Sequence, residues 1–317
     1  MPARCISFSN AVSTLDPHPV IRLLGARAPA WLRVISFDTP PSVHAAGSFV
    51  LHDPDATDLR FAVTGRDFRY RRLLAGTASG EVLWTGQIIL LTNVQAGLYE
   101  GALRGWCSFD DSPKVGTDLR GKVAAADIKL PLLVQGWSDA TNHVEGLLEG
   151  SMAITSGNTA NLKTWTGSGR LAAVQALLWD IRLFGIFSPM LNTVIPGAGN
   201  NRAYQAGMDF IVTNGLVATG NLEVRSTEFR LLYSGTLNLQ QQLDARVEAN
   251  ILRDVPLFGR FLGLAFSPLS KLLEYKVDGT LADPAYHPVL IPKSLSNLLE
   301  PFRKKTVAPP EIPLAPP

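Results

Sequence analysis

The sequence is poor in charged residues. They make up 18% of its 317 positions, against the usual ~25%. The 29 basic and 27 acidic side chains nearly cancel, which leaves a formal net charge of +2. A chain with so little excess charge has no strong electrostatic reason to bind nucleic acid, so we expect no nucleic-acid partner.

Cysteine is equally scarce. Cys5 and Cys107 are far apart in the sequence and cannot form the disulfide framework of a small secreted domain, although a single bond between them stays open as an alternative. Cys107 falls on the apolar phase of an expected strand. We therefore predict that it is a small thiol in the core.

No apolar run is long enough to cross a bilayer as a helix. The richest segments, Leu171–Ile195 and Leu257–Leu273, are interrupted by charged residues and prolines, so neither supplies ~20 consecutive apolar positions. The segment Met1–Asn10 also lacks the basic region and long apolar stretch of a secretory signal. The sequence as it stands therefore predicts no helical membrane anchor.

The residues that carry chemistry are dispersed. The histidines lack metal-ligand spacing; they are His18, His44, His52, His143 and His287. Asp53, Asp55 and Asp58 have cation-like spacing, but no calcium-binding loop follows them. Glu100 and Glu149 could form a carboxylate pair for glycoside hydrolysis, yet both fall on the outward phase of strands. We therefore predict no catalytic residue, no metal, no cofactor and no enzymatic activity.

The dominant pattern in the sequence is alternation of apolar and polar residues. It runs from Phe229 to Leu239, stops at a glutamine-rich turn and resumes from Leu243 to Ile251. A period of two over two such runs predicts an antiparallel hairpin with one apolar face. Upstream, Asn214-Gly215 predicts a tight hairpin turn. Further segments are read as strands: Leu59–Val63, Gly80–Leu91 and Gly121–Leu133.

Glycine recurs on the apolar phase of the expected strands. The positions are Gly101, Gly105, Gly146, Gly150 and Gly235. Glycine weakens a strand, so its repeated use on one phase indicates strong curvature or the close approach of another backbone.

Two apolar segments break the alternation and resemble each other. Leu183-Phe184-Gly185 precedes Phe187-Ser188-Pro189, and Leu257-Phe258-Gly259 precedes Phe266-Ser267-Pro268. Helical spacing in the second segment extends to Leu272 and Leu273, and each Ser-Pro pair suits the start of a helical turn. We predict two apolar helical inserts, with a new strand from Glu274 to Leu281.

These patterns predict a mainly β fold: a long, strongly curved antiparallel sheet that forms an open trough or half-barrel. Two apolar helical inserts and a short C-terminal helix at Leu295–Lys304 complete it. We divide the chain into N-terminal strands (1–75), a main β domain (76–293), and a short helix with a proline-rich tail (294–317).

An ordered set of short stretches resembles the AsmA-like C-terminal domain family and covers most of the chain, roughly from Gly76 to Lys293. The stretches are Tyr99–Gly105, Val144–Gly150, Thr166–Arg170, Asp209–Gly215, Leu222–Ser226, Tyr233–Leu239, Leu243–Val247 and Lys276–Pro284. The order of the stretches, which ends in Gly-Thr-Leu-Ala-Asp-Pro, carries the resemblance. Under this resemblance, residues 1–75 would be the remnant of an upstream repeat.

The resemblance implies a non-enzymatic module of the bacterial cell envelope that is involved in outer-membrane biogenesis. It would lie on the periplasmic side of the inner membrane and present an apolar β groove to phospholipid or another acyl lipid. Its other partners would be the membrane or an anchoring envelope protein. The family's anchor and long upstream repeats are missing here, so the resemblance implies a fragment or one part of a split protein.

We predict that the groove is lined by the apolar phase of the hairpin. Its members are Phe229, Leu231, Tyr233, Leu237, Leu243, Val247 and Ile251. Two alternatives remain open at this point. The same face could be an ordinary core covered by the two helical inserts, and the whole chain could be a β-rich structural or adhesion scaffold with a filled core and no lipid.

Overall fold

A computed structural model describes most of the chain. The described residues are 5–16, 35–50, 53–70, 73–137, 143–179, 181–185, 187–194, 197, 203–252 and 271–290. They form sixteen β-strands and three short α-helices.

The first eight strands are β1 (Cys5–Ser13), β2 (Ile35–Phe37), β3 (Ser42–Val50), β4 (Asp53–Tyr70), β5 (Leu73–Thr85), β6 (Ile88–Leu98), β7 (Gly101–Asp110) and β8 (Asp118–Lys129). The next eight are β9 (Glu145–Asn158), β10 (Asn161–Leu177), β11 (Ala203–Thr213), β12 (Leu216–Arg225), β13 (Phe229–Asn238), β14 (Gln242–Ile251), β15 (Lys271–Thr280) and β16 (Pro284–Leu290). The helices are α1 (Leu130–Trp137), α2 (Arg182–Gly185) and α3 (Phe187–Val194).

All sixteen strands belong to one sheet. Each strand pairs antiparallel with the next along the chain, except that β1 pairs with β3 and the short β2 lies beside the end of β4. The sheet is not closed, because β1 and β16 remain at opposite ends of the order. The predicted mainly β fold, an open curved antiparallel sheet with few short helices, is therefore confirmed.

The hairpins follow from local sequence, as predicted. β13 and β14 pair from Phe229–Ile251 to Leu237–Leu243, so the alternating runs face each other with their apolar phases aligned. Asn214 and Gly215 form the turn between β11 and β12 with φ values of 52° and 72°. Two successive positive φ angles are what a tight hairpin turn requires, and they explain this residue pair.

Three details of the predicted strands are wrong. Gly80–Leu91 is two strands, β5 and β6, joined at Gly86-Gln87. Gly121–Leu133 stops being a strand after Lys129, because Leu130 begins helix α1. Leu272 and Leu273 belong to β15 rather than to a helix. In the first case the prediction passed over a turn signal, because Gly86 lies at the junction with a φ of 58°.

The first helical insert is confirmed and the second cannot be compared. Helices α2 and α3 occupy the predicted segment around Leu183–Pro189. Most of the second predicted insert (residues 253–270) and the predicted C-terminal helix at Leu295–Lys304 lie outside the described residues. Residue 75, where we divide the chain, lies within β5, and the division stays a prediction.

Close backbone approach explains glycines of the apolar phase. At Gly105 a Cβ atom would collide with the carbonyl oxygen of Lys122 and lie 3.1 Å from the Cα atom of Val123. At Gly167 it would collide with the carbonyl oxygen of Ala153 and lie 3.1 Å from the Cα atom of Ile154. In both cases the obstacle is the backbone of the paired strand, which cannot rotate away as a side chain could. The prediction of close backbone approach is confirmed at Gly105, and Gly167, which the prediction did not include, shows the same kind of contact.

We expect Gly167→Ala to lower the free energy of unfolding by about 1–3 kcal/mol, because the added methyl group would have to displace backbone. Gly220→Ala is the matched control, since a Cβ atom there has nothing within 4 Å. It should change stability by less than about 1 kcal/mol. Urea denaturation followed by circular dichroism measures both, and equal losses in the two variants would contradict the close approach at Gly167.

Candidate functional site

One uninterrupted row of apolar and glycine or proline residues crosses the sheet. Each member is the cross-strand partner of the next, and every strand of the main path contributes one residue. We call this row the apolar lane. Its members are Ala11, Ala45, Phe61, Val82, Leu91, Cys107, Gly121, Ile154, Gly167, Val212, Val217, Leu237, Leu243, Gly279 and Pro284.

A row on the opposite face of the sheet has the reverse character. Linked by the same pairing, it contains Ser42, Thr64, Ser79, Gln95, Arg104, Ala124, Ser151, Arg170 and Asp209. All but Ala124 are polar. Because directly paired residues project from the same side of a sheet, the two rows define an apolar face and a polar face.

The apolar face is the more sheltered one even where no described helix covers it. Along the first part of β8, half-buried residues alternate with exposed residues. The half-buried set is Leu119, Gly121, Val123 and Ala125, and the exposed set is Asp118, Arg120, Lys122 and Ala124. The described residues place no second layer over this part of the face, and partial shelter of that kind is typical of the concave side of a curved sheet. The lane therefore lies along the inside of an open trough.

One flank of this trough is filled by the chain's own helices. Phe184, Phe187, Met190 and Leu191 of α2 and α3 are buried against the ends of β13, β14 and β15. Helix α1 adds Leu130 to the same cluster and places Leu133 and Val134 beside it. Each large side chain buried in this way contributes about 1.5–3 kcal/mol before conformational entropy is counted. The helices therefore anchor the C-terminal half of the sheet.

The structure divides the predicted groove lining into three groups. Phe229, Leu231, Tyr233 and Val247 are 0–2% exposed and belong to the core beneath the helices, as the open alternative of an ordinary core expected. Leu237 and Leu243 are half-buried members of the apolar lane. The backbone of Ile251 ends β14, and its side chain lies outside the described part. Contact of any of the seven with lipid stays a prediction.

Aromatic side chains pack helices α2 and α3 against the sheet. The ring of Phe187 meets the rings of Tyr233, Tyr275 and Tyr286 edge-on, with centroids 6.0–6.2 Å apart. The hydroxyl groups of Tyr233 and Tyr286 both donate to the carbonyl oxygen of Leu183, at 2.8 and 2.9 Å. One backbone acceptor in α2 therefore joins strands β13 and β16.

Burial shifts the titration of these tyrosines. Loss of hydration raises the pKa of Tyr233 and Tyr286 well above the ordinary value, and for Tyr233 the neighbouring Tyr286 adds to the effect. It raises the pKa of Tyr275 to about 12. The hydroxyl of Tyr275 has no hydrogen-bond partner among the described residues. This cluster is a structural core and offers no group that is ionised near neutral pH.

Cys107 lies in the lane rather than in a filled core. It is half-buried, and burial raises the pKa of its thiol. A raised pKa keeps the thiol protonated and unreactive near neutral pH. Both Cys107 and Cys5 are free, so the alternative of a disulfide between them is not realised in this structure.

Several of the acidic and histidine positions weighed from the sequence lie in the described part of the chain. Within the described ranges no group of three or more histidine, cysteine or carboxylate side chains could hold a metal ion. Glu100 forms an ion pair with Lys129, and Glu149 is exposed on the polar face of β9. His287 contacts Asp278 at 3.1 Å, while His18 and His52 lie outside the described residues.

Sequence reasoning missed the extent of the lane and the presence of α1. The helix had a readable signal, because Leu130, Leu133, Val134 and Trp137 follow helical spacing. The lane had no signal in the sequence, since the residues that belong to it are set by the pairing register of every strand. Three β-bulges illustrate this. In each bulge one extra residue brings two residues of the strand onto the same face: Leu91 with Val94, Ala125 with Ile128, and Phe8 with Ala11.

Comparison with protein-family models, with curated proteins and with solved structures found no match to this chain. The resemblance to AsmA-like domains therefore stays a prediction. None of the three described helices combines the length and the apolar character that crossing a bilayer requires.

We expect the two tyrosine hydroxyls on Leu183 to be energetically coupled. Tyr233→Phe and Tyr286→Phe should each cost about 1 kcal/mol, because the Leu183 carbonyl keeps one donor in each single variant. The double variant should cost more than the sum, since the carbonyl then loses both donors. Tyr275→Phe is the control and should be neutral or slightly stabilising. Denaturant unfolding measures the cycle, and strictly additive losses would contradict the shared acceptor.

Stability should also fall at high pH. Below about pH 10 these tyrosines are neutral in both the folded and unfolded states, so they contribute no pH dependence. Above it the unfolded chain ionises first, because burial raises the folded-state pKa of Tyr275 to about 12. The free energy of unfolding should therefore decline between about pH 10 and pH 12, and Tyr275→Phe should make that decline shallower. An equal slope in the variant and the parent chain would rule out the contribution of Tyr275.

Proposed function

We propose that this chain is a non-enzymatic cell-envelope module that shelters the acyl chains of phospholipid or a related lipid in its open apolar trough. The observation that carries the proposal is the apolar lane, which has no polar member on any strand of the main path. The resemblance to AsmA-like domains supports a place on the periplasmic side of the inner membrane and a role in outer-membrane biogenesis. In this proposal an anchoring envelope protein or the membrane itself is the other partner.

The energetics favour a continuous surface over a discrete pocket. Moving a 16-carbon acyl chain into water costs roughly 12 kcal/mol, at about 0.8 kcal/mol for each methylene group. A continuous apolar surface removes most of that free-energy cost at every position along it. A discrete polar site would instead bind the head group and stop the lipid from moving. The lane has the required continuity, and the polar face of the same sheet keeps the outside compatible with water.

The dimensions are also suitable. With strand spacings of about 4.8 Å, the lane is on the order of 65 Å long, about twice the ~30 Å hydrocarbon core of a bilayer. Several lipids could therefore follow one another along it. Because helices α1–α3 already fill one flank in the C-terminal half, we propose that lipid occupies the lane and the neighbouring rows of β4–β10.

Met152 tests this proposal directly. It lies on the apolar face, where it pairs with Val123, and it is 38% exposed although it is a large apolar side chain. Met152→Asp should reduce phospholipid transfer between donor and acceptor vesicles about tenfold, because a carboxylate in the trough would oppose the passage of acyl chains. Transfer of a fluorescent phospholipid, measured by dequenching, gives the rate.

Ser151→Asp is the matched control. Ser151 is exposed on the polar face and precedes Met152 on the same strand, so the same charge appears one residue away on the other side of the sheet. It should leave transfer unchanged. Mass spectrometry of an organic extract of the purified chain should also detect bound phospholipid. If no lipid co-purifies and both variants transfer like the parent chain, the proposal is wrong.

A second candidate function is a β-rich structural or adhesion scaffold that handles no lipid. The filled flank favours it, because Phe229, Leu231 and Val247 are completely buried by the chain's own helices. A scaffold would keep full stability and function with a charged residue at position 152. The Met152→Asp comparison therefore separates the two candidates.

A further inference from the structure

The two ends of the sheet differ in how well they are protected. Edge strand β16 is seven residues long and contains Pro284 and Pro288. Proline has no backbone N–H group, and its presence on an edge is a usual means of preventing further strand pairing. Edge strand β1 is nine residues long and contains neither proline, glycine nor a charged residue. Natural sheets rarely leave such an edge without a partner.

The side chains at the β1 end are also unusually apolar for exposed positions. Every residue of β1 except Phe8 is exposed. Ile6 is 44% exposed and Val12 is 58% exposed, and Leu15 just beyond the strand is 75% exposed. Among the described strands, β1 pairs with β3 alone, so its second row of backbone donors and acceptors is not used within the described part of the chain.

The edge is self-complementary in one antiparallel register. A β-bulge between Phe8 and Ala11 places Ile6, Phe8, Ala11 and Ser13 together on the apolar face. If a second copy pairs with β1 about a two-fold axis between Ser9 and Asn10, Phe8 faces Ala11 of that copy and Ile6 faces its Ser13. Polar-face residues then also face each other. Both copies have the bulge at the same place, so the two β1 strands have equal numbers of residues between their paired positions.

We propose that two copies of this chain associate through antiparallel pairing of their β1 strands in this register. The association is isologous, because the same strand serves both sides. It joins the two sheets edge to edge and aligns their apolar faces, so that the lane residue Ala11 continues onto Phe8 of the second copy. The interface follows from the β1 edge itself and does not depend on lipid binding.

A cysteine pair tests the register. In this arrangement Cys5 faces Thr14 of the second copy at the Cα–Cα distance of about 4.5–5.5 Å found in antiparallel pairs, which suits a disulfide. The two Cys5 residues are about 30 Å apart, so they cannot bond to each other. In the full chain with Cys107→Ala, adding Thr14→Cys should give a reducible covalent dimer in most of the protein under mild oxidation. Cys107→Ala alone should give none.

Val289→Cys provides the control for the opposite edge. Val289 is exposed on β16, so in the Cys107→Ala background it could bond with Cys5 only if copies stacked head to tail. Covalent dimers or longer chains from this variant, with none from Thr14→Cys, would overturn the proposal.

A charge pair provides a second readout without cysteine chemistry. Asn10 is exposed beside the two-fold axis. Asn10→Lys should raise the dissociation constant of the dimer about tenfold, because it brings two like charges together on adjacent strands. Mixing it with Asn10→Asp should restore association. Light scattering measures the mass. A parent chain that stays monomeric at all soluble concentrations, or an Asn10→Lys variant that dimerises like the parent, would contradict the β1 interface.

Discussion

The structure depends on one constraint: directly paired residues in an antiparallel sheet project from the same face. Alternating sequence gives each strand an apolar side, but only matched register makes those sides into one surface. In β6 the apolar phase shifts between Leu91 and Val94, and a bulge with Asn93 at a φ of 52° absorbs the shift. Without that extra residue, half of the strand would present the wrong face to the trough.

The apolar face is shared between two uses. At the C-terminal end the chain covers it with its own helices, and the rings around Phe187 hold that cover in place. Elsewhere the described residues leave it half-sheltered along the concave side. An apolar surface of this length is costly to leave in contact with water. The helices remove that cost on the filled flank, and the lipid that we propose would remove it along the lane. The same reasoning applies to the β1 edge, since a row of backbone groups that the described strands leave unpaired also favours a partner.

Much of the fold was predictable from local patterns. The β13–β14 hairpin, the Asn214-Gly215 turn and the helical character around Leu183–Pro189 all have short-range causes that a single sequence displays. Predictions failed where a readable change of pattern was passed over. Gly86 marks a turn before Ile88, and the apolar residues that begin at Leu130 have the spacing of a helix. The candidate lining was only partly predictable, because the alternation identifies a face without indicating what covers it.

Short-range sequence accounts for most of the strands, for the Asn214-Gly215 turn and for the apolar side of each strand, because φ, ψ and side-chain alternation are set by neighbouring residues. The division of the apolar residues between lane and core comes instead from the assembled fold. Both outcomes depend on partners remote in the chain, such as Tyr286, whose hydroxyl binds the carbonyl of Leu183 across 103 positions. Contacts of that range have no local signature, so Leu231 and Leu237 have the same pattern in sequence and different surroundings in the fold.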